Sequence, residues 1–159
     1  MVEYASAAHS FETGVKRHVP DPQVRFADAV WAYTILRLSF GANIMLHGVS
    51  RLVAGHAAFL AYLTHYFEKT PAVPPGLLPI FAWTLPLAET SIGVLLVLGL
   101  WTRFGLIAGA LVMTGLVIGS NLAQDWTIAA LQLIYAFIYY YLLVHRDKNL
   151  ISLDGVLGR

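Results

Sequence analysis

DAVWAYTILRLSFGANIMLHGVSRLV, residues 28–53, is long and apolar enough to cross a bilayer, yet it carries Arg37, Asn43, His47 and Arg51. As a helix of about 26 residues it rises ~39 Å, which allows some tilt across a ~30 Å hydrocarbon core. At about 100° per residue the four polar side chains fall within roughly 120° of arc on one face. Charge at membrane depth is costly and rarely faces lipid, so this stripe is expected to point into protein or a watery cavity. The partner expected for Arg37 is Glu89, near the middle of the next apolar stretch.

Outward from this stretch the chain repeats the pattern. Hydrophobic residues make up 58% of the 159 and charged ones 12%, about half the charge of an ordinary soluble domain. The apolar excess is gathered into four runs: residues 28–53, 77–100, 104–122 and 126–144. These imply one all-α, integral membrane four-helix bundle. Residues 1–26 are expected to form a polar cytoplasmic tail, 27–146 the membrane domain and 147–159 a cytoplasmic C-terminal tail. Pro20 and Pro22 are expected to interrupt any helix ahead of the first span. The first 26 residues lack a continuous apolar core, so no cleaved signal peptide is expected and the first span directs insertion.

Between the first two spans, Phe59, Tyr62, Leu63, Tyr66 and Phe67 recur at helical spacing, which predicts an amphipathic helix lying in the outer interface. Pro86 lies inside the second span and predicts a kink one turn from Glu89. The third span carries Gly105 and Gly109, then Gly115 and Gly119, a spacing that lets helices approach closely. The fourth contains Gln132. Four spans put both termini on one side. Lys16, Arg17, Arg25, Arg103, Arg146, Lys148 and Arg159 share that side, against Arg51 and Lys69 on the other. The positive-inside rule makes the terminal side cytoplasmic, in a multi-pass protein of the cell's inner membrane.

Depth can be estimated from helix rise. Arg37 and Glu89 each come out ~14–15 Å above the inner ends of their spans, level enough to pair and offset each other's desolvation. Asn43, His47 and Arg51 then lead from that pair to the outer surface. Each element also has a simpler reading. Arg37 with Glu89 would serve equally as a structural ion pair. His47 would serve as a neutral histidine on a carbonyl, Arg51 as an interfacial anchor and Gln132 as a helix–helix hydrogen bond.

Absences narrow the chemistry. There is no cysteine, hence no disulfide, thiolate metal site or cysteine nucleophile. A single deep histidine does not supply the two axial ligands of a transmembrane haem. No GxGxxG or P-loop pattern occurs. No haem, flavin or metal is therefore expected within the chain, and any electron carrier is a diffusible quinone or belongs to a partner. A net charge of +1 gives no electrostatic case for nucleic acid. No inverted repeat is visible, which disfavours a transporter.

Leu36-Arg37-Leu38 with Gly41, His47-Gly48 with Arg51-Leu52, Glu89 with Gly93, the run Leu98-Gly99-Leu100-Trp101-Thr102-Arg103 and the closing Ser152-Leu153-Asp154 together resemble the DoxX family. That family includes the membrane subunit of thiosulfate:quinone oxidoreductase. The resemblance covers about Arg37 to Asp154. Arg51 stands where such proteins often carry lysine, and the N-terminal tail has no counterpart. It implies a four-helix bundle linked to sulfur-compound oxidation and quinone reduction, with a second subunit.

The expectation is thus a subunit of a quinone-linked oxidoreductase, oxidising thiosulfate or another small sulfur compound. Glu89 and His47 would be the catalytic groups, and Arg37, Asn43, Arg51, Trp83 and Gln132 would bind substrate. The alternative is a non-catalytic scaffold or accessory subunit of a larger membrane complex. The expected partners are the lipid bilayer and further protein subunits or a second copy of the chain.

Overall fold

A computed structural model of the chain describes residues 21–70, 72–74 and 76–158. Most of the expected N-terminal tail lies outside the described residues. The helices are α1 (Pro22–Ala54), α2 (His56–Tyr66), α3 (Leu77–Leu98), α4 (Thr102–Leu122) and α5 (Trp126–Val144), followed by a 3-10 turn (Arg146–Lys148) and the one-turn α6 (Leu153–Val156). No strand occurs among the described residues. Four of the helices, α1, α3, α4 and α5, are long and apolar enough to cross a membrane.

Helix α1 begins earlier than the hydropathy run suggests. The Asp21 carboxylate accepts the Gln23 N–H at 2.9 Å, and Pro22 occupies the first helical position. Proline is well suited there, since its missing N–H has no helical partner in any case. The expected break is therefore a start, and the 33-residue helix runs for about 50 Å. Its first turns are exposed, with the Lys148 ammonium 4.8 Å from the Phe26 ring. The helix ends at Gly55, whose φ of +88° favours glycine, and α2 starts at once.

α1 and α3 form the tightest seam. A Cβ on Gly41 would lie 2.9 Å from the Leu96 Cβ, one on Gly93 would strike the Met45 backbone, and one on Gly48 would meet Pro86 and Thr90. This fixes the register: Gly41 faces Leu96 and Val97, Met45 faces Gly93, and Gly48 faces Pro86 to Thr90. In α4, Gly109 admits the ring of Tyr139 from α5. Tyr139 packs edge-on against Phe40 with ring centroids 4.7 Å apart. Phe40, Leu96, Leu106 and Leu142 complete this core.

α2 is the expected amphipathic helix. Phe59 and Leu63 are buried against Leu78, Ala82 and Leu85 of α3, while Tyr62 is exposed. The Tyr66 hydroxyl donates to Asp125 at 3.1 Å, so α2 reaches across to the α4–α5 turn and covers the end of the bundle away from the termini. Burial pushes the Tyr66 phenol above its ordinary pKa.

At the terminal end the residues of the expected C-terminal tail dock on the bundle through Asn149 and Asp154. Asp154 is buried and accepts the Trp101 N–H at 2.8 Å and the Thr102 N–H at 2.7 Å, while its own N–H donates to Gly99 at 2.9 Å. Asn149 donates to the Thr102 hydroxyl at 3.0 Å. This carboxylate caps α4 and holds Trp101 at φ +47°, a left-handed conformation that bulky residues seldom adopt.

Candidate functional site

The register of α1 against α3 redistributes the polar stripe. Arg37 does not pair with Glu89. It lies level with the last turn of α3, where its guanidinium donates to Leu96, to Val97 at 3.1 Å and to Ile151 at 2.9 Å. Terminal carbonyls of a helix have no partner within it, and a forked cation satisfies several at once. The sequence-based depth took the inner ends of the two spans as level. They are not level: with Gly41 opposite Leu96 and Val97, the α1 residues before Arg37 overhang the end of α3, and Arg37 falls at that end.

Glu89 pairs with Arg51. Helical side chains lean towards their own N-terminus, so Arg51 reaches back along α1 to the level of the carboxylate. Arg51 was expected to extend to the outer surface. It turns inward, with its side chain 27% exposed and its guanidinium 5.1 Å from the centre of the Phe59 ring. The Glu89 side chain is 8% exposed. An isolated carboxylate at such burial would be strongly disfavoured, and the guanidinium offsets that cost.

The pair borders a cavity of about 360 Å³ enclosed by α1 to α5 beneath α2. Its walls are mainly aromatic and aliphatic, including Phe59, Tyr66, Phe67 and Phe81. Its polar lining residues are Arg51, Glu89, His47, Ser120 and Gln132, with Tyr62, Tyr66 and Tyr135 beside them. The Gln132 Oε1 is buried and has no hydrogen-bond partner. A mostly apolar hollow with a few convergent polar groups is the usual form of a small-molecule site.

The cavity has a lateral mouth. α1 and α5 meet through Phe40 and Asn43 on one side and Tyr135 and Tyr139 on the other. Further from the termini, His47 on α1 and Ile128 and Leu131 on α5 line the cavity and are exposed. That opening lies within the length of two helices long and apolar enough to cross a membrane.

The expected site residues thus divide. Glu89, His47, Arg51 and Gln132 share the cavity. Asn43 stands outside and accepts a 3.1 Å hydrogen bond from Tyr135, which lines it. Trp83 was expected in the pocket with Asn43 and His47. It lies on the outside of α3, 56% exposed and stacked on His56 with ring centroids 4.5 Å apart. Arg37 belongs to the terminal-end clasp. Sequence reasoning did not assign the α2 roof, Tyr135 or the Gly115–Gly119 wall to the site. The spacing of Phe59, Leu63 and Tyr66 was the available signal for the roof, since it gave α2 an inward face.

A model of the family described as DoxX matches residues 32–123, more than half of the chain. The chain belongs to the DoxX family. The matched region contains Arg37, Asn43, His47, Arg51 and Glu89, and it ends before the α5 residues of this DoxX cavity. No curated protein and no solved structure gives a significant match.

Proposed function

We propose that this DoxX-family protein is the membrane subunit of a quinone-linked oxidoreductase, with the quinone head group received in the cavity beneath α2. The observation that carries this reading is the Arg51–Glu89 pair at membrane depth, bordering an aromatic cavity with a mouth between α1 and α5. A quinone needs such a place: its tail stays in lipid, its ring suits apolar walls and its oxygens need donors. On reduction it takes up two electrons and two protons. Arg51 and Gln132 are suited to hold the ring oxygens. Glu89 and His47 are suited to deliver protons, since each can carry one and both line the same space. Arg37, Asn43 and Trp83 act at a distance from the ring in this scheme, Asn43 through Tyr135.

The electrons would come from a small sulfur compound such as thiosulfate, oxidised at a partner subunit. The terminal end would face the cytoplasm: Arg25, Arg103, Arg146 and Lys148 gather there, against Lys69 at the other end. The cavity would then lie in the outer half of the inner membrane. The competing reading, a purely scaffolding subunit, drew on the glycine-rich third span together with the cytoplasmic tail. Gly105 and Gly109 are taken up by Leu95, Leu96 and Tyr139 of the same chain, which weakens that motive.

The test is a titration of the purified protein with a quinone analogue. The wild type should bind, and Glu89→Gln should cut turnover of the native complex about tenfold or more, the scale of a lost charged hydrogen bond. Absence of binding, together with unchanged turnover in Glu89→Gln, would sink the proposal.

A further inference from the structure

The four glycines of α4 are not equivalent. Glycine is disfavoured in a helix interior, so each one asks for a reason. Gly109 has one, because any Cβ would strike the Tyr139 ring. Gly105 is in contact with Leu95 and Leu96. Gly115 has no neighbour at all: a Cβ there would meet nothing within 4 Å. A Cβ on Gly119 would meet only the Phe67 ring, at 3.5 Å and beyond. Neither residue has a left-handed backbone that would call for glycine. Both line the cavity.

We infer that Gly115 forms the floor on which the ligand's ring lies, beside the Phe67 ring that covers Gly119, and that it sets the largest head group the cavity admits. This rests on the reading of the cavity as a quinone site. Residues four apart share one helix face and are separated by about 6 Å along the axis. The Phe67 ring sits over Gly119, and at Gly115 the backbone is bare, so a flat ring can settle there at van der Waals distance beside Phe67. The polar groups lie around the same space: the Arg51–Glu89 pair, His47 and the unpartnered Gln132 Oε1. A flat face with polar groups at its edge suits a planar ring bearing oxygens on its perimeter.

The experiment measures the affinity of the full-length protein for a one-ring and a two-ring quinone analogue, in the wild type, Gly115→Ala and Gly115→Leu. Both substitutions should leave the melting temperature at or above the wild-type value, because alanine and leucine favour helix and the added carbons meet no protein atom at Cβ. Gly115→Ala should weaken the two-ring analogue more than the one-ring analogue. Gly115→Leu should weaken both, the two-ring analogue by about tenfold or more. Equal affinities in wild type and Gly115→Leu would overturn the glycine floor and leave the quinone reading standing. No binding by the wild type would overturn both. Should Gly115→Leu fail to fold, Gly115→Ala alone decides: an unchanged ratio of the two affinities counts against the floor.

Discussion

Arg37→Met should be among the most destabilising single changes in the protein, at about 2–5 kcal/mol from two or more orphaned carbonyls. Arg37 is 1% exposed, and its guanidinium joins the end of α3 to the C-terminal segment through Leu96, Val97 and Ile151. Methionine matches much of its bulk and none of its donors. The Val97 and Ile151 carbonyls would lose this partner at a part-buried site, and the Leu96 carbonyl would lose it at a buried one. Arg37→Lys keeps the charge and loses the fork, so it should fall between the two. Chemical or thermal unfolding in detergent measures the effect. Quinone binding by the folded fraction of Arg37→Met should be unchanged, because Arg37 and the cavity lie at different levels of the bundle. A methionine variant that unfolds together with the wild type would remove the clasp from the account of stability.

Arg51→Met is expected to cost a comparable amount, about 3–5 kcal/mol, for the opposite reason: it leaves a charge behind. Glu89 would stay buried without its cation. The double variant Arg51→Met/Glu89→Met should recover most of the lost stability, since replacing a buried pair by apolar side chains is often neutral. It should not recover quinone binding. That separation is the useful part of the prediction. Stability and binding that return together would mean the pair only holds α1 to α3.

The fold was largely legible because lipid imposes a simple condition on a chain. Each spanning segment must satisfy its own backbone and present apolar side chains, so four long runs meant four helices. The inward face of α2 was legible in the spacing of Phe59 and Leu63. The importance of Glu89 followed from the rarity of a carboxylate in such a run. Its partner did not follow, because hydropathy marks where a span is apolar and not how far one helix overhangs its neighbour. Asp21 followed by Pro22 is a helix-start signal and was present in the sequence. Pro22 was read as a break instead, but the match of Glu89 with Arg37 came from taking the inner ends of the two spans as level, whereas α1 overhangs the end of α3 and brings Arg51 to Glu89. Ser152-Leu153-Asp154 was visible as a motif, but its target, the N–H groups of Trp101 and Thr102, depends on tertiary packing. Gly115 and Gly119 looked like Gly105 and Gly109. Only the neighbours distinguish a glycine that admits another helix from one that leaves a space.

The most direct test is the location of a bound quinone. A photoreactive quinone analogue, bound to the protein in native membranes and activated by light, should label residues of the cavity: the Ile44–Arg51 part of α1, the Met113–Ser120 part of α4 and the Ile128–Tyr135 part of α5. An excess of unlabelled quinone should abolish that labelling, and Glu89→Gln should reduce it. Labelling confined to the lipid-facing residues Trp83 and Phe137, or unaffected by competitor and by Glu89→Gln, would contradict a quinone site beneath α2.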